Sequence, residues 1–237
     1  IEEIAAAVTM DFNEFFFGKD ADNERSTAQA TPIDQFAKDY LGLSVSFAHL
    51  SSDGSLCGLT AYADTEYTIE EQGVKRTIPL KANQVLLDLS FIQPGQVHAL
   101  CGKRRFTLAH ECAHQILFGM ESDNDKRTHE SKYAPRAAYS LRDLKTREDW
   151  NEWQANVLGA AILMPQKEID IAMRQFARGR GLKNYGGRFN YIDRLSLTLL
   201  CQSLGVSKSA AIIRLRQLGY IEDRPFAEYD DPLEVWL

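Results

Sequence analysis

His110, Glu111 and His114 stand in the pattern His-Glu-x-x-His, inside the stretch Arg105 to Phe118. On an α-helix, residues four apart are rotated by only about 40° and separated by roughly 6 Å of rise. Both imidazoles therefore reach one ion, and the carboxylate beside the first reaches a water bound to it. This is the signature of a metal-dependent hydrolase with Glu111 as general base. Zinc is the ion such donors prefer, and manganese is also admitted. The bland alternative is a core helix whose two histidines only hydrogen-bond, an expensive arrangement for buried imidazoles beside a carboxylate.

Catalytic zinc takes three protein ligands and leaves a position for water. The candidates for the third are Glu121, His129, Glu148 and Glu152. Glu152 is the choice, because it sits in an otherwise apolar, Ala-rich helix where a carboxylate needs a reason. Glu148 falls at the start of that helix, where the dipole alone favours an acid. Asn156, one turn beyond Glu152, is placed to accept the free ring N–H of a metal-bound histidine and fix its orientation. Tyr133, Tyr139 and His129 are the candidates to stabilise an oxyanion.

These residues need two helices. Phe106, Ala109, Ala113, Ile116 and Leu117 repeat at helical spacing, and Gly119 is the expected stop. Trp150, Trp153, Val157, Leu158, Ala161, Ile162 and Leu163 mark a second helix over 148–164, ended by Pro165. Between them, residues 119–147 are hydrophilic, a solvated loop or a flap over the site. Upstream, residues 1–17 read as a helix packing on the catalytic domain, and 18–31 as a polar linker. Pro32 opens a further helix that Gly42 stops. From Leu43 the period changes to two, with strands around Val45–Phe47, Leu56–Tyr62, Thr65–Ile69, Lys75–Leu80 and Gln84–Leu89, and a turn at Gln72-Gly73. The expected class is α+β: a small antiparallel sheet packed on the active-site helix pair.

Downstream, 166–191 is a locally basic, flexible stretch containing Arg174, Arg178, Arg180, Lys183 and Arg188. Leu195 to Ile221 reads as helix, turn, helix: Leu195, Leu199, Leu200 and Leu204 form one stripe, and Ala211, Ile212, Leu215 and Leu218 the next. Ser207 caps the second helix, on which Lys208, Arg214 and Arg216 are candidates to face phosphates. The expected organisation is 1–31 N-terminal helix and linker, 32–165 metal-dependent hydrolase core (a metallopeptidase on the resemblance given next), 166–221 helix-turn-helix-like segment, and 222–237 acidic tail.

The run from Arg105 through His114, taken with Glu152, Ala155, Asn156, Leu163, Met164 and Pro165, resembles the ImmA/IrrE metallopeptidase family. Pro32-Ile33-Asp34, Leu41-Gly42-Leu43 and Gly58 are similar more weakly, so the resemblance spans roughly 30–221. Leu158-Gly159 stands where that family usually has Phe-Ala, and Cys112 where many members have Leu. The resemblance implies His110, His114 and Glu152 as metal ligands, Glu111 as catalyst, and a gluzincin-like site. It also implies an endopeptidase that cuts DNA-binding, helix-turn-helix repressors in stress responses or the control of mobile elements.

Composition bounds the alternatives. The 237 residues are 44% hydrophobic and 25% charged, ample for one domain with a small appendage. A net charge of −6 disfavours bulk electrostatic binding of nucleic acid, so direct DNA contact requires a local basic face. Cys57, Cys101, Cys112 and Cys201 are widely spaced, as in a reduced cytoplasmic protein. No apolar run approaches the ~20 residues that span a membrane. The chain begins at Ile1 rather than Met; the expectation is a trimmed chain rather than one with a removed leader.

Overall fold

The computed structural model describes residues 1–18, 25–51, 53–71, 74–121, 146–231 and 233. It is a mixed α+β structure in two compact units: residues 1–4 with 32–160, and residues 5–31 with 161–237.

The first unit opens with helix α2 (Ile33–Gln35), which continues as a π-helical turn (Phe36–Tyr40). Strands β1 (Ser44–Ala48), β2 (Gly58–Ala61) and β5 (Gln84–Asp88) form one sheet in the order β1-β5-β2. β2 runs antiparallel to β5, with Gly58 opposite Leu87, but β1 runs parallel to β5, from Ser44↔Gln84 to Ala48↔Asp88. β3 (Thr65–Glu71) and β4 (Val74–Leu80) pair as a separate antiparallel ladder. The all-antiparallel expectation is thus corrected. Alternation tells which side of a strand is buried, not which strand lies beside it. The Gln72-Gly73 turn lies outside the described residues.

Leu50, Leu56, Leu59, Ala61, Tyr67, Ile69, Leu80 and Leu86 form the core here, and the buried Tyr67 hydroxyl donates to Leu50 O at 2.7 Å. Helix α3 (Val97–Met120) is buried continuously from Thr107 to His114. It runs through Gly119, the expected stop, for one more residue before Glu121 turns extended. Arg104 holds Asp34 through two bonds of 2.9 and 2.7 Å, and Gln115 Nε2 donates to Thr60 Oγ1 at 2.6 Å and Ala61 O at 3.1 Å. The helix is therefore tied to both α2 and the rim of β2. Helix α4 (Arg147–Leu163) crosses it closely. A Cβ on Gly159 would stand 3.0 Å from His110 N and 3.1 Å from Ala109 C and O. Only a residue without a side chain lets the two backbones meet there.

The second unit takes helix α1 (Glu2–Phe17) from Ala5 onward, so most of α1 groups with the C-terminal segment and not with the sheet. Helix α5 (Gln166–Ala177) and strand β6 (Leu182–Tyr185) occupy much of the stretch expected to be flexible. Helices α6 (Tyr191–Leu204) and α7 (Lys208–Gln217) meet at 102°, with Ser207 Oγ accepting the Ala210 N–H at 3.3 Å. Strand β7 (Ile221–Arg224) returns parallel to β6. Two expectations change here. The buried face of α6 is Leu197, Leu200, Cys201 and Leu204, while Leu195 and Leu199 point outward. Arg214 is 1% exposed and its Nε donates to Met164 O at 3.1 Å, and Arg216 pairs with Asp223 at 2.9 Å. Among the described residues, no single helix is long and apolar enough to cross a membrane.

Candidate metal centre

The four-residue spacing on α3 stacks His110 and His114 one turn apart. Their rings meet edge to face, 4.6 Å between centroids at 88°, with the Nε2 atoms 3.0 Å apart. Glu152 reaches them from α4. Its Oε1 lies 2.8 Å from His114 Nε2 and its Oε2 3.3 Å from His110 Nε2. One donor atom from each of the three falls within 4.8 Å of the others, and all three side chains are buried. The Gly159 contact is what lets α4 come this near.

Those residues fit a metal ion. Both Glu152 oxygens are sealed from solvent at ion-pair distance from the imidazoles, yet neither completes a hydrogen bond. A buried carboxylate left in that state is costly, and a cation shared by the three donors removes the cost. Two nitrogens and one carboxylate oxygen are also the donor set of catalytic zinc.

Glu111, on the next position of α3, is buried beneath β2. A Cβ on Gly58 would stand 2.7 Å from Glu111 Oε1 and 2.5 Å from Thr107 Cγ2. The missing side chain therefore makes room for the carboxylate. Period two along β2 puts Gly58, Thr60 and Tyr62 on one side, the side of α3. Gly58 meets Glu111 there and Thr60 meets Gln115. Tyr62 stacks on Phe118, with centroids 4.2 Å apart at 19°. With His114, Glu121, Asn151 and Gln154, Tyr62 lines a cavity of about 170 Å³. Burial, then the charges of Glu111, Glu152 and Glu121, push its phenol well above the usual range, so it stays a neutral donor. Tyr62 carries no motif in the sequence, although the alternation that carries Gly58 and Thr60 toward α3 carries it too.

Of the alternative ligands, Glu121 lies at the end of α3 with its Oε1 3.4 Å from Arg147 Nη2, outside the three-residue cluster. His129, Tyr133, Tyr139 and the side chain of Glu148 lie outside the described residues. Asn156 is half-buried, one turn beyond Glu152 on α4. The Cys112 thiol is fully buried and pushed well up by that burial, which leaves it inert.

Residues 101–216 match the peptidase family described as IrrE N-terminal-like domain. No curated protein matches the chain. Among solved structures, a Mycobacterium tuberculosis transcriptional regulator aligns over 91% of this chain at 17% identity, with a TM-score of 0.42. The alignment covers 46% of that structure, so the chain spans about half its length.

Proposed function

Because residues 101–216 belong to the IrrE N-terminal-like peptidase family, we propose that the chain is a zinc-dependent endopeptidase, with the metal held by His110, His114 and Glu152. The observation that carries this reading is the buried Glu152 carboxylate, whose two oxygens face imidazole nitrogens and complete no hydrogen bond. Bound there, zinc or manganese would polarise a carbonyl and lower the pKa of a water toward ~7. Glu111 takes the proton of the attacking water and delivers it to the leaving amine. Gly58 keeps the strand clear of that carboxylate. The neutral Tyr62 phenol, in the cavity that His114 also lines, donates toward the substrate oxygen as its charge grows.

The substrate is a protein, a helix-turn-helix repressor cleaved in the cytoplasm during a stress or mobile-element response; the family resemblance supports this. Residues 32–165 act as the peptidase core and 166–221 as the helix-turn-helix-like segment, between the N-terminal helix and linker (1–31) and the acidic tail (222–237). The rival is a DNA-binding regulator with a structural metal, for which the 102° crossing of α6 and α7 speaks. It is weakened because Arg214 is buried and Arg216 is engaged by Asp223. Glu111→Gln separates the two. Zinc-loaded wild type should cut a purified helix-turn-helix repressor, and the variant should keep its zinc but cut about 10²–10⁴-fold more slowly. A variant as active as wild type contradicts the assigned base.

A further inference from the structure

Helix α6 carries leucines on two sides. Ile192, Leu195 and Leu199, on the side away from the core, are 56%, 45% and 36% exposed. They follow one another at i, i+3 and i+7, so they form a continuous apolar file along the helix. Single exposed apolar residues are ordinary, but three in file are not. This file lines an open groove of about 940 Å³, together with Arg178, Arg180 and Lys183.

The cations of the groove differ in their commitments. Arg180 Nη1 sits 2.5 Å from Oδ1 of the fully buried Asp193, whose Oδ2 accepts the Lys183 N–H at 3.0 Å. That network fixes the groove's base. The side chains of Arg178 and Lys183 have no ion-pair partner among the described residues. Arg178 is also left-handed, at φ 54, where α5 ends. Glycine is the usual occupant of such a position, yet an exposed cation stands there.

We propose that this groove docks an acidic, amphipathic helix of a protein partner. In helix-in-groove recognition an amphipathic helix lays its apolar stripe against apolar receptor residues, and the file on α6 offers such residues along the groove. Acidic residues beside the partner's stripe meet Arg178 and Lys183, which sets register and partner choice. Nucleic acid fits less well. Glu222 and Asp230 also line the groove, and exposed leucines offer nothing to phosphates. Glu222 is engaged by Arg224, while Asp230 sets a polarity, since it repels an acid placed at its end. The proposal stands on the second unit alone and is independent of the peptidase reading.

The test is a titration of the whole chain against a labelled synthetic peptide. The peptide is an amphipathic helix about four turns long, with leucines at helical spacing flanked by glutamates. Saturable binding is expected. Leu195→Glu, and the pair Arg178→Glu with Lys183→Glu, should each weaken it by about tenfold or more. Exchanging the peptide's glutamates for lysines should abolish it. The altered positions are exposed, so thermal unfolding should match wild type and confirm that folding is intact. The proposal is overturned by no saturable binding, by equal affinity for the lysine peptide, or by indifference to all three substitutions. Displacement of the peptide by mixed-sequence duplex DNA would reassign the groove to nucleic acid. Self-association lost in Leu195→Glu would reassign it to a second copy of the chain.

Discussion

Glu168 and Glu152 are both helical glutamates, 5% and 2% exposed. Glu168, in the first turn of α5, gives one oxygen to the Arg25 guanidinium and the other to the Gln29 N–H at 2.8 Å. Glu152 has no such donors; its oxygens lie against two imidazoles and complete no hydrogen bond. Folding a carboxylate into the interior requires donors for both of its oxygens. In the second unit, the chain supplies them from its own backbone and a cation. In the first, two histidines and a glutamate converge into a donor set that could hold a metal ion. Burial alone does not separate a structural acid from a ligand; what answers it does.

The missing side chain of Gly58 makes room for a further buried glutamate, Glu111, and that extends the contrast. Gly58→Ala puts a methyl group 2.7 Å from Glu111 Oε1. Cleavage should fall by about 10²-fold, as expected for a base displaced by roughly 1 Å, with zinc content unchanged. Steady-state kinetics beside elemental analysis would check this; unaltered kinetics would break the assignment of Glu111. The next effect tests the other side of the contrast. Glu168→Ala strands Arg25 and the Gln29 N–H, and should cost about 1–3 kcal/mol in denaturant unfolding. Its zinc content should equal wild type. Smaller again is Gly159→Ala, whose methyl group meets the His110 and Ala109 backbone at 3.0 to 3.1 Å. The helices must part by a few tenths of an ångström, drawing Glu152 from the histidines, so zinc affinity should drop about tenfold in competition with a chelator. Unchanged affinity would mean that α4 need not approach so closely.

Much of the site was legible because helical spacing is a strict geometric rule. His110 and His114, four apart, could only share a face, and Glu152 stood out as an acid in an Ala-rich helix. Gly159 stands out in the sequence only as a departure from the Phe-Ala of the family, yet it is where α3 and α4 touch. The strands were legible, but their partners were not. β1 reaches β5 across β2, β3 and β4, and nothing local to Val45 or Phe47 encodes a parallel neighbour so far along the chain. On α6, Leu195 and Leu199 looked like core because leucine is usually buried. Only the fold shows that Leu197 and Cys201 take the inner face. Arg214 misled in the opposite sense, since a cation on a helix reads as solvated until its bond to Met164 O is seen.

The most direct test is metal content by elemental analysis on wild type, Glu152→Ala and Glu168→Ala, each purified with zinc supplied. Near-stoichiometric zinc in wild type and in Glu168→Ala, with little in Glu152→Ala, is the predicted result. Equal zinc in Glu152→Ala and wild type, or none in wild type, would contradict the claim that the buried carboxylate of α4 is there for a metal ion.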